Sequence, residues 1–210
     1  MAAPLAEVVN PRASWLAALE GGATPQEALA FFDSLRPMAA TAMIGAWKGG
    51  GLRTGHPLDG LLEVFGWRGK RFEGPEAVHP LIFGRPGALF SVNPSLTPLG
   101  LVLRFGRILG SPALAPVARA ALVFLRTKKP KARLRVTKFR GVTTATMIYD
   151  TLPINDVFRR VDADTALGLM DRRGDIAPGY FYFVLRRERP SMIPLPDEAT
   201  EPVYTGVEPA

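Results

Sequence analysis

From Ala132 onward, apolar and polar positions alternate in short runs separated by turn residues. That period of two predicts an antiparallel meander with strands at about 132–139, 142–149, 153–161, 165–171 and 179–188. Short connections such as Arg140-Gly141 and the 173–179 loop favour hairpins over crossover helices. Upstream, strands at 68–72, 81–83 and 88–92 are kept short by glycine and proline turns. The segment Gly45-Ala46-Trp47-Lys48-Gly49 predicts a further, sharply bent strand. Glycine permits the bend and the close approach of another backbone, and a lone tryptophan between two glycines is large enough to plug one end of a barrel. The total of roughly nine to ten strands suits a closed barrel that encloses one small ligand. In the last strand Tyr180, Tyr182 and Val184 face one side and Phe181, Phe183 and Leu185 the other, so both faces are apolar or aromatic. The outer face needs a cover: an N-terminal helix, the 99–125 segment or a dimer partner.

Helical periodicity is confined to a few places. Thr24-Pro25-Gln26-Glu27 is a helix start with a threonine N-cap, a proline at the first turn and a glutamate to close the capping box. The helix runs to about Leu35 with Leu29, Phe32 and Leu35 at helical spacing, and is expected across one mouth or flank of the barrel. Trp15, Leu16 and Leu19 predict a shorter helix before Gly21-Gly22, residues 56–65 a short helix or irregular lid, and 112–125 an apolar helix. The chain thus divides into an N-terminal helical segment (1–40), one barrel domain (41–189) and an extended proline-rich tail (190–210). Within the barrel domain, 41–98, an apolar helical insertion at 99–131 and the 132–189 meander are distinguishable. The expected class is mainly β: a closed or nearly closed antiparallel, lipocalin-like barrel with an N-terminal helix and a helical insertion.

Composition narrows the chemistry. The 210 residues, 47% of them hydrophobic, suffice for one domain with a sizeable core. No cysteine is present and the histidines are His56 and His79, which excludes disulfides and thiolate metal sites and disfavours zinc clusters. No metal is expected. The start of the chain lacks the pattern of a secretory signal, giving a cytoplasmic expectation. The 99–125 stretch is broken by Arg104, Arg107, Pro112, Pro116 and Arg119, so it fails as a membrane span yet can lie peripherally on a membrane. The net charge of +7 and the run Arg126, Lys128, Lys129, Lys131, Arg133, Arg135, Lys138, Arg140 would attract an anionic membrane surface or lipid headgroup. An outward, solubilising hairpin face explains the same run. Nucleic acid ranks last, since Phe139 is the sole aromatic among these cations.

The chain resembles the GXWXG domain followed by the domain of unknown function 4334. The matching pieces are Gly45 to Gly49, Thr54-Gly55-His56-Pro57-Leu58-Asp59-Gly60, Phe139-Arg140-Gly141, Met147-Ile148-Tyr149-Asp150, Pro153 to Arg159, and Tyr180 to Arg186, spanning about 30–188. The resemblance implies a lipocalin-like or calycin-like barrel and brings no settled activity with it. Nitrobindin-like haem barrels share a similar opening strand but take their iron ligand from near the C-terminal strands. Here no histidine follows His79, so haem is disfavoured and no cofactor is expected.

The candidate ligand-binding residues are Trp47, His56, Arg140, Tyr149 and Tyr182. Trp47 either lines a cavity or plugs the barrel with its indole N–H on a backbone carbonyl. His56, three residues from Asp59, offers an imidazole for acid–base work, or else the 54–59 loop simply caps the next helix. Tyr149, Asp150 and Asp156 bracket a bend and could bring two carboxylates together near a barrel rim, or serve as turn and ion-pair residues. Three functions follow. The first is binding or carriage of a hydrophobic small molecule such as a fatty acid, phospholipid or isoprenoid-like compound. Burying about 300 Å² of acyl chain at roughly 25 cal/mol per Å² yields about 7 kcal/mol before ordering costs. The second is an enzyme on a hydrophobic substrate, with His56, Tyr149 and Asp156 as catalytic groups. The third is a dimeric scaffold with a filled barrel.

Overall fold

The computed structural model describes residues 10–97, 113–175 and 179–188, with positions 100, 108 and 111. The elements are α1 (Pro11–Glu20), α2 (Pro25–Ser34), β1 (Arg36–Pro37), α3 (Ala40–Met43), β2 (Gly45–Leu52), α4 (Leu61–Val64), β3 (Trp67–Gly74), β4 (Ala77–Arg85) and β5 (Ala88–Val92). After a 3-10 turn (Pro94–Leu96) come α5 (Ala115–Phe124), β6 (Arg126–Thr127), β7 (Ala132–Phe139), β8 (Val142–Tyr149), β9 (Ile154–Arg160), β10 (Thr165–Arg172) and β11 (Phe181–Arg187). The proline-rich tail and most of the 99–112 stretch lie outside the described residues.

Eight strands close a ring in the order β3-β2-β11-β10-β9-β8-β7-β4, with β4 returning to β3. The alternation that predicted the meander holds along β7 to β11, and the Arg140-Gly141 hairpin is a two-residue turn with positive φ at both positions, 47° and 80°. One joint is unlike the others: β4 meets β7 through a single bridge, Val78 opposite Ala132. Beyond it, Ile82 to Arg85 pair with β5, which carries β6 as a flap.

The GXWXG strand works by close approach. Trp47 is buried, its indole N–H donates to the Met43 carbonyl at 2.7 Å, and the Arg187 guanidinium lies 4.3 Å from the ring centroid. A Cβ on Gly49 would sit 2.2 Å from the Trp67 ring, so a second tryptophan lies flat on that glycine. Gly69 has φ +137°, and a Cβ there would stand 1.8 Å from the Trp47 carbonyl oxygen.

Two apolar cores result. One fills part of the barrel interior with Trp47, Phe72, Phe158 and Phe183. The other lies outside the barrel, where Phe31 and Phe32 of α2 and Leu16 of α1 pack on Leu167, Tyr182 and Val184. The cover for the outer face of the last strand is therefore the N-terminal helix pair. Of the 99–125 segment, α5 does something else: it roofs the barrel mouth.

Candidate ligand cavity

The barrel is hollow. A cavity of about 390 Å³ is bounded by Trp67, Leu81 and Phe83 from β3 and β4, Met170, Phe181 and Phe183 from β10 and β11, Leu61 and Phe65 around α4, and Leu122 and Leu125 at the end of α5. That volume lies within the usual range of small-molecule sites. The inner face of α5 is set by helical spacing, with Ala118, Ala121, Leu122 and Leu125 all lining the cavity.

One polar cluster interrupts the apolar wall. Lys70 Nζ stands 2.8 Å from Asp156 Oδ2 and donates to the Pro80 carbonyl at 3.2 Å. The Tyr149 hydroxyl also hydrogen-bonds to the Asp156 carboxyl. Lys70 and Asp156 are each 3% exposed at the side chain. The ammonium also lies 4.8 Å from the Phe183 ring centroid, in cation–π contact. Burial pushes the Asp156 carboxyl above its ordinary value even with the Lys70 ammonium and the tyrosine hydroxyl pulling it down. Burial, with the Asp156 charge, pushes the Tyr149 phenol well up, so that it stays protonated as a donor. An ammonium has three donors, and two are used by Asp156 and Pro80. The Trp67 indole N–H is buried with no hydrogen-bond partner among the described residues. The residues that line the apolar cavity thus include two with an unused donor, Lys70 and Trp67.

Tyr149 and Asp156 of the sequence expectations are brought together here, on adjacent strands. Asp150 is not: it faces outward and pairs with Arg133 at 3.1 Å, so the two carboxylates do not share a site. His56 is half-buried, outside the cavity lining, and rests 5.5 Å from the Phe181 ring. Asp59 Oδ2 accepts from the Thr54, Gly55 and His56 amides, and His56 Nδ1 accepts from the Leu58 amide at 3.2 Å. Asp59 therefore ties the loop to itself rather than capping the next helix, since α4 follows Gly60 without a side-chain cap, and burial lowers the imidazole pKa. Arg140 sits on the exposed β7–β8 turn, bidentate to Asp33 of α2 at 2.7 and 2.8 Å. Tyr182 points into the outer core, its hydroxyl buried and without a partner among the described residues. Neither residue lines the cavity.

Lys70 was not singled out from the sequence, where 68–72 reads only as a short strand. Register shifts in the β3–β4 pairing at Gly69 break the period of two and turn Lys70 inward. The available signal was the glycine inside a strand pattern.

A second concavity of about 640 Å³ is lined by Arg68, Arg71, His79, Ser91, Arg126 and Lys128, and Lys70 lines both. His79 Nδ1 meets Ser91 Oγ at 3.1 Å, and its Nε2 lies 3.5 Å from Glu73.

No group of His, Asp and Glu suited to a metal ion occurs among the described residues, and no described helix is long and apolar enough to cross a membrane.

These features define a class: an antiparallel eight-stranded barrel with an apolar hollow, compatible with binding a ligand. The chain belongs to the GXWXG/DUF4334 family. The GXWXG protein model matches residues 30–87 and the domain of unknown function DUF4334 matches 130–187. A crystal structure of a protein from Thermomonospora curvata is similar at 30% identity, covering 85% of this chain and 99% of that one, with a TM-score of 0.61. No curated protein matches the chain.

Proposed function

We propose that the barrel binds one hydrophobic small molecule carrying an oxygen acceptor, such as a fatty acid, phospholipid or isoprenoid-like compound, and carries or sequesters it. The observation that supports this reading is the apolar cavity with Lys70, Asp156, Tyr149 and the unpartnered Trp67 N–H at its wall. Apolar contact supplies most of the affinity, while Lys70 and Trp67 orient the polar end. Because Asp156 already faces the ammonium, a carbonyl or hydroxyl suits the site as well as a carboxylate does.

Native mass spectrometry and solvent extraction of the purified protein test this directly, together with titration of a dansyl-labelled undecanoic acid. The expected result is a copurifying apolar compound and saturable fluorescence that Ala118→Trp, which blocks the chamber beneath α5, abolishes. An empty protein that neither binds the probe nor responds to the substitution overturns the reading.

The Lys70–Asp156–Tyr149 cluster favours a second reading, acid–base chemistry on the bound molecule with Tyr149 as proton donor and Asp156 as base. His56 has no part in it. Turnover of a copurified ligand by wild type, but not by an Asp156→Asn variant that still binds it, would separate enzyme from carrier.

A further inference from the structure

A helix apolar on nearly every side is ordinarily buried on nearly every side. α5, apolar but for Arg119, is not. Its inner face closes the cavity, while its outer face leaves Val117 68% and Phe124 87% exposed, with Leu114 and Val123 also in the open. Leu89 on β5 and Leu96 in the following turn are exposed as well. Most of the large exposed hydrophobics among the described residues thus fall within 89–124, and scattered single residues do not do this.

Cations continue this surface. Arg126, Lys128 and Lys129 follow α5 directly, and Arg126 and Lys128 form one wall of the basic cleft that Leu89 also borders. Arg126 stacks 4.2 Å from the Phe90 ring centroid, and neither it nor Lys128 has a carboxylate partner among the described residues. Protruding apolar side chains beside unpaired cations match the two halves of an anionic bilayer surface, its acyl chains and its phosphates.

We infer that the outer face of α5, with Arg126, Lys128 and Lys129 at its C-terminal end, docks on an anionic lipid bilayer. A bilayer seated there is separated from the ligand chamber by the thickness of one helix. Few polar ties hold that helix: Arg119 Nε donates to the Val64 carbonyl at 2.6 Å, and the Asn93 amide donates to the Leu125 carbonyl at 2.8 Å. The docking stands whether or not the cavity takes a lipid.

Vesicle flotation with the full chain tests it, using phosphatidylcholine alone against phosphatidylcholine with about 30 mol% phosphatidylglycerol. Wild type is expected to float with the anionic vesicles at least about tenfold more than with the neutral ones, and to be released as salt rises. V117D/F124D, which alters exposed side chains and is expected to keep the wild-type melting curve, should lose about tenfold or more of that binding. K128E/K129E should lose the salt-dependent part. Absence of anionic-vesicle binding by wild type, or binding undiminished in V117D/F124D, overturns the inference. So does sedimentation showing a wild-type dimer that V117D/F124D converts to monomer, because a second copy then covers this face.

Discussion

Replacing Lys70 by methionine leaves the Asp156 carboxyl buried with only the Tyr149 hydroxyl for company. Breaking a buried pair from one side costs about 3–5 kcal/mol, whereas replacing both partners by apolar groups is far milder. Urea denaturation is expected to show a large loss for Lys70→Met and substantial recovery in Lys70→Met/Asp156→Leu. Tyr149→Phe should cost less, about 1.5–3 kcal/mol for one hydrogen bond to a charged group. His79 gives a different readout. Burial pulls its imidazole below the ordinary 6.5, Arg71 adds to the effect and Glu73 opposes it. The unfolded chain then binds more protons than the folded one as pH drops below that value. The contribution is fully present above it and is lost as pH falls through the folded pKa. His56 has the same sign, with burial again the main cause. Asp156, whose value is raised, has the opposite sign: it favours folding below its ordinary 3.8 and loses that advantage as pH rises through the folded pKa. His79→Gln should therefore flatten the fall in stability between about pH 7 and 5, measured by denaturant titration at each pH. Tyr149 and Asp156 were legible as a pair because they flank one bend in a regular meander. Lys70 was not, since a bulge decides which way it points.

Elements repeat the contrast. Helix α2 was readable to within a residue from Thr24-Pro25-Gln26-Glu27, and its capping box forms: Thr24 Oγ1 accepts from the Glu27 amide at 3.2 Å while Glu27 accepts from the Thr24 amide at 2.8 Å. Local hydrogen bonds set such a start, so local sequence reveals it. Strands β3 and β4 came out longer than their sequence expectation: β3 runs on to Gly74, and β4 starts at Ala77 and passes through Pro80 and Gly84, residues that read as breaks in the sequence. Arg140, expected beside a headgroup, instead turns a hairpin and ties it to α2, which depends on contacts far apart in the chain. The glycines of the opening strand have a measurable consequence. Gly49→Ala drives a methyl into the Trp67 ring and is expected to cost about 1–3 kcal/mol, and near-ultraviolet circular dichroism should report the displaced indole. Gly69→Ala, against fixed backbone and at positive φ, should cost more than Gly49→Ala in the same denaturation assay.

At the scale of the whole molecule, the N-terminal helices are part of the fold's minimum. They cover Leu167, Leu169, Tyr182 and Val184 on the outside of the ring. Deleting residues 1–35 bares that face and should yield aggregated protein, read by size-exclusion chromatography. The barrel was legible as a class from alternation, and its strand number suggested a chamber for one ligand, but which residues line that chamber was not legible, because the lining joins α4, α5 and strands far apart in the chain. The single bridge between β4 and β7 sets the weakest joint, supported by the Lys131 amide on the Val78 carbonyl and the Leu134 amide on the Pro75 carbonyl. Those two amides should exchange with deuterium sooner than their neighbours along β7–β8. A wall latched at one rung is the place where the ring would first gape, like a purse whose clasp has slipped. The seven other seams would keep the rest of the ring sewn.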